Sequence, residues 1–190
     1  MKKIIKPKVD DKRMWDTWMS RYELATVSVA DNLAIFEYIG RKVVTLGNIS
    51  KKLSLSERAV EVVTEVLCGL GFLIKRKKTF SLTPTAKLYL LPDSIFYWGA
   101  LLQGFHNSVE YNQIIKAIET DKEQLSYDSK TITSMWEEGE VDPVIASRFT
   151  KIMHATIFAP AVAAINSGKF GSTKKLLDLG GGSEPVNKIV

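Results

Sequence analysis

Apolar residues recur at helical spacing along most of the chain, and the breaks between runs fall at glycines, prolines and capping side chains. Over 14–39 the apolar positions, from Trp15, Trp18 and Met19 through Val27 and Val29 to Ile35, Phe36 and Ile39, predict one long helix. They occupy more than one face, so the helix is expected to be covered by its own domain and by something further, such as a partner subunit. An ordinary core helix is the alternative. Gly40 closes this helix, and 45–53 predicts a short second one. Ser54-Leu55-Ser56-Glu57 reads as a capping box that starts a third helix. Val60, Val63, Val66, Leu67 and Leu70 form that helix's apolar stripe, and Gly71 is placed to end it in a left-handed cap.

Two strand-like segments follow, 72–75 and 79–82, around the basic turn Arg76-Lys77-Lys78. Helix, turn, helix and hairpin in this order predict a winged helix. A DNA-reading winged helix would place the third helix in the major groove. Here Glu57, Glu61 and Glu65 line up at i, i+4 and i+8 on that helix, where a phosphate backbone would be repelled. Nucleic acid is therefore not the expected partner, and the basic hairpin has a simpler role as a solvated tip.

Thr83-Pro84-Thr85 caps a short helix over 86–91, which Pro92 stops. The apolar run from Ile95 to Phe105 and the amphipathic stretch to Glu119 predict linking helices, whereas 121–134 is polar and expected to loop. Asp142-Pro143 has the form of a helix start, and a helix with a kink at Pro160 is predicted to end at Asn166-Ser167-Gly168. The basic pair Lys174-Lys175 then leads into Leu176-Leu177-Asp178-Leu179, a short apolar run predicted to be a buried strand, followed by Gly180-Gly181-Gly182. Glycines at the C-terminal end of a strand let a nucleotide-like cofactor approach the backbone closely.

Composition narrows the function classes. The chain has 190 residues, 45% hydrophobic and 25% charged, with no apolar run near the roughly 20 residues of a membrane helix and no signal-peptide core. A cytoplasmic globular protein without membrane contact is expected. The net charge of +5 sits largely in a basic arm (Lys2, Lys3, Lys6, Lys8, Lys12, Arg13) and in the hairpin turn. Cys68 is the only cysteine, which rules out an internal disulfide and a multi-cysteine metal site.

Several segments in order carry a resemblance: Phe80-Ser81-Leu82-Thr83-Pro84, Met135-Trp136-Glu137, Phe149-Thr150-Lys151-Ile152-Met153, and Leu177 to Ser183. The chain resembles the N-terminal part of a class I S-adenosylmethionine-dependent O-methyltransferase of the small-molecule type found in plant and bacterial secondary metabolism. The resemblance implies a mainly α fold: a basic arm (1–13), a winged-helix dimerisation domain (14–93), a helical linker and substrate wall (94–170), and the first strand and glycine loop of a Rossmann-like α/β domain (171–190). It implies a homodimer through the N-terminal helices and a small-molecule hydroxyl as methyl acceptor. It also implies S-adenosylmethionine held at Asp178, Gly180, Gly181 and Gly182, with Phe149 and Met153 beside the substrate.

The chemistry would be in-line methyl transfer from a sulfonium to an oxygen, for which the enzyme aligns the groups and removes the hydroxyl proton. Such enzymes place the histidine base beyond the cofactor loop, but His106 and His154 both precede it and are expected to be structural, so no catalytic residue is assigned. Glu184 stands where the family pattern asks for a further glycine, and Pro185 follows; both changes are expected to weaken cofactor binding. Only eight residues follow Gly182, so the 190 residues are expected to lack the rest of the cofactor domain and to be inactive alone. A non-catalytic dimerisation protein and, less strongly, a winged-helix regulator are the alternatives.

Overall fold

The structure is a computed structural model that describes residues 8–122, 126–127, 130–139, 141–169, 175 and 177. The chain divides into two compact units, one of residues 16–131 and one of residues 1–15 with 132–190.

In the first unit, α1 (Lys12–Asn32, which begins in the other unit) is followed by α2 (Ile35–Ile39), β1 (Val44–Thr45), α3 (Leu46–Leu53) and α4 (Glu57–Gly69). Then come β2 (Leu73–Arg76), β3 (Thr79–Leu82), α5 (Pro84–Tyr89), α6 (Gly99–Gln103) and α7 (Val109–Thr120). The short pair β4 (Ser126–Tyr127) and β5 (Lys130–Thr131) completes it. β1, β3 and β2 form an antiparallel sheet in that order, with Val44 opposite Phe80 and Leu73 opposite Leu82. Phe36, Ile39, Ile49, Val60, Leu67 and Leu82 are fully buried between these helices and the sheet. Buried hydroxyls donate to backbone carbonyls: Ser28 Oγ to Leu102, 74 residues away, at 2.7 Å and Thr64 Oγ1 to Val60, one turn back, at 2.9 Å.

The end of α4 follows the expectation in detail. Gly71 sits at φ +78°, its N–H donates to the Cys68 carbonyl at 3.1 Å and the Phe72 N–H donates to the Leu67 carbonyl at 2.9 Å. These two bonds form a Schellman motif, which satisfies carbonyls that the helix leaves open and turns the chain into β2.

Other boundaries differ. The single helix expected over 14–39 is broken at Leu33 and Ala34, with Ala34 at φ +57°. The break re-aims the chain so that Ile35, Phe36 and Ile39 all enter the core, which a straight continuation of α1 would not allow. Ser54 is not the N-cap of α4; it closes α3 at φ +55°, where the Leu55 N–H donates to the Ser50 carbonyl. Ser56 is the cap instead, accepting from the Ala59 N–H at 3.1 Å. A capping box does occur, one helix earlier, between Thr45 and Asn48. The linking region is helical only in α6 and α7, with Ile95 and Phe96 in an exposed turn before them. The stretch expected to loop contains β4, β5 and the start of the next helix.

In the second unit, α8 (Ile132–Glu137) precedes α9 (Pro143–Asn166), which runs through Pro160 as one element. Asp142 caps α9, accepting from the Val144 and Ile145 N–H groups at 2.8 and 3.2 Å, and Pro143 occupies the first turn, as expected. Gly168 follows its end at φ +75°. Leu177, expected in a buried strand, is 79% exposed and belongs to no strand.

Candidate functional site

Asp178, Gly180, Gly181 and Gly182, expected to hold a cofactor, lie outside the described residues. Phe149 and Met153 lie one turn apart on α9, with Ile157 one turn further, and so share a helix face. They are 38% and 37% exposed, so this face is apolar yet not closed into a core. That arrangement suits the wall of a pocket for an apolar body. His154 lies against Phe158, ring centroids 5.4 Å apart and tilted by 43°. His106 stacks on Tyr111 at 4.6 Å and 19°, and its Nε2 is buried with no hydrogen-bond partner among the described residues. Among the described residues no cluster of histidine, cysteine and carboxylate side chains could hold a metal ion.

The third helix and the basic hairpin are linked directly. Glu57, Glu61 and Glu65 are all exposed on α4, and Lys75 Nζ of β2 donates to Glu65. This hydrogen bond is the chief reason the Lys75 ammonium is held above its ordinary pKa. One of the hairpin's cations is thus turned towards the carboxylate row and not presented to a nucleic acid.

A cavity of about 530 Å³ opens within the first unit, between α1, the end of α4 and the segment from α5 to α6. Its walls are apolar and aromatic, with Phe72, Tyr89 and Trp98 the largest side chains. The Trp98 N–H donates to the Tyr89 carbonyl at 2.9 Å, and the two rings meet edge to face at 6.0 Å and 68°.

No protein-family model and no curated protein matches this chain. Solved structures do. An O-methyltransferase family 2 protein from Planctomyces limnophilus, determined in complex with apigenin, superposes at a TM-score of 0.57 and 24% identity over 62% of this chain and 36% of its own. Over that part the chain shares the fold of this O-methyltransferase family 2 structure. It spans little more than a third of that structure's length. Human N-acetylserotonin methyltransferase in complex with SAM (14% identity, 98% of this chain and 57% of that one) and an O-methyltransferase family protein from Burkholderia thailandensis (15%, 96% and 54%) both align at a TM-score of 0.46.

The sequence pattern gives no sign of the tie between α1 and the turn before α6. Tyr97 Oη donates to both carboxylate oxygens of Asp31, at 2.9 and 2.8 Å. Burial, reinforced by Asp31, pushes the Tyr97 phenol up to about 12. Burial also raises Asp31, against the opposing pull of the Tyr97 hydrogen bond and of His106. Gly99 makes room for the ring, since a Cβ there would lie 2.2 Å from Tyr97 Cε1. The partners are 66 residues apart, and no local pattern joins them.

Proposed function

We propose that this chain supplies the dimerisation region and one wall of the acceptor pocket of an S-adenosylmethionine-dependent O-methyltransferase acting on a small-molecule hydroxyl. The observation that carries the reading is the likeness to the Planctomyces limnophilus O-methyltransferase family 2 structure over 62% of the chain. In this reading 14–93 is a winged-helix dimerisation domain, 94–170 forms linker and substrate wall, and the residues from 171 begin the cofactor domain.

Each part has a physical basis. Met14, Trp15, Trp18 and Met19 leave large apolar surface exposed along α1, which a second copy would cover. The acidic row on α4, with Lys75 tied to Glu65, disfavours a nucleic-acid role and suits a protein-contact module. Phe149 and Met153 would line the acceptor site with an apolar surface, as an aromatic alcohol requires. Asp178 and Gly180 to Gly182 would hold S-adenosylmethionine, whose sulfonium supplies the methyl group. The protein's part would be to align the acceptor oxygen and exclude water. Among the described residues no helix is long and apolar enough to cross a membrane.

Calorimetric titration with S-adenosylhomocysteine tests the cofactor part. The 190-residue chain is expected to bind with a Kd weaker than about 1 mM, because Glu184 and Pro185 interrupt the glycine pattern where the backbone should approach the cofactor. Micromolar binding would overturn this view of the loop.

A further inference from the structure

The cavity beside α1 has a feature that the dimerisation reading does not use. Glu23 is the only charged residue among its described lining residues, the rest being apolar or aromatic apart from the hydroxyls of Ser20 and Thr85. Glu23 is half-buried, and among the described residues it makes no hydrogen bond or ion pair. The nearest cation in sequence is committed elsewhere. Arg21 donates to the Tyr22 hydroxyl, lies over the Trp18 and Tyr22 rings and reaches Glu110 at 3.5 Å. On α5, Thr85 and Tyr89 line the cavity one turn apart, whereas Lys87 between them does not.

Set among apolar walls, the Glu23 carboxylate has no partner there, and a bound cation would supply one. The volume of about 530 Å³ falls within the roughly 300–1,000 Å³ typical of small-molecule sites. A neutral ligand would leave Glu23 unpaired, and an anion would be repelled.

We propose that this cavity binds a hydrophobic primary amine as its ammonium ion, with the charge at Glu23 and the apolar body against Phe72, Tyr89 and Trp98. The cavity residues of α1 (Ser20, Glu23, Leu24 and Val27) centre about 130° around the helix axis from Trp15, Trp18 and Met19, and Glu23, one turn from Met19, marks the border between the two surfaces. The site is independent of the glycine loop, so failure of cofactor binding does not bear on it.

The test is calorimetric titration of the full chain with naphthylethylamine, its neutral counterpart naphthylethanol, and naphthylacetate, with sedimentation run on the same samples. The amine is expected to bind about tenfold more tightly than the alcohol, and the acetate more weakly than either. Glu23→Gln should bring the amine to the level of the alcohol while leaving the alcohol unchanged, and Trp98→Leu should weaken both. Equal affinity for all three probes, or an amine preference that survives Glu23→Gln, overturns the proposal. Absence of binding by any probe also overturns it.

Discussion

Replacing Tyr97 by phenylalanine removes one hydroxyl from a defined tie and leaves the ring in place. That hydroxyl donates to both oxygens of Asp31 at 2.9 and 2.8 Å, linking the turn before α6 to α1. Hydrogen bonds to charged groups contribute about 1.5–3 kcal/mol, and because the pair is only partly buried the lower end applies, about 1.5 kcal/mol. For a unit of this size that corresponds to a fall in Tm of about 6 °C at neutral pH. The loss should depend on pH with a definite sign. The unfolded chain releases the Tyr97 proton near 10, whereas the folded chain keeps it to about 12. The folded state therefore binds more protons in that window, and the stability linked to Tyr97 is fully present below pH 10 and lost as pH rises towards 12. Circular-dichroism melts of both proteins from neutral pH to pH 11 should show the gap between them narrowing above pH 10. A gap that stays constant or widens, or a variant that melts with the wild type at neutral pH, would refute the reasoning.

Other outcomes follow from the helix ends and the hairpin. Gly71→Ala should cost about 1 kcal/mol from backbone strain alone, since φ is +78° and no atom lies within 4 Å of the added Cβ; urea denaturation measures it. Ser56→Ala should cost about 1 kcal/mol by loss of the α4 cap, whereas Ser54→Ala should show no such cap loss, an order that the sequence-predicted box would reverse. Lys75→Ala should leave the urea midpoint nearly unchanged, because its pair with Glu65 is exposed. The same protein and the wild type should both fail to shift duplex DNA in a gel at low salt.

The sequence carried the parts of the fold that local chemistry decides. The β2–β3 hairpin, the glycine that ends α4, the Thr83-Pro84 start of α5 and the Asp142-Pro143 start of α9 each rest on residues within a few positions of one another. What it did not carry depends on tertiary packing. Nothing near Leu33 and Ala34 signals a break, because the gain comes from seating Ile35, Phe36 and Ile39 in a core assembled by distant elements. Ser54 and Ser56 both have a capping side chain, and the choice between them follows from where α3 ends. The two strand residues Val44 and Thr45 become a strand only by pairing with Phe80 and Thr79. For the candidate site, Phe149 and Met153 came from the family resemblance, and neither the Glu23 cavity nor the Asp31–Tyr97 tie has a local signature.

Sedimentation velocity tests the central claim most directly, that the exposed apolar face of α1 is a dimerisation surface. At micromolar concentration the chain should sediment at twice its mass of 21.3 kDa. Trp18→Glu, which sets a charge on a side chain 49% exposed and outside the core, should sediment at the single-chain mass with an unchanged circular-dichroism spectrum. A wild-type chain that stays monomeric across that range, or a Trp18→Glu protein that remains dimeric, would contradict the account.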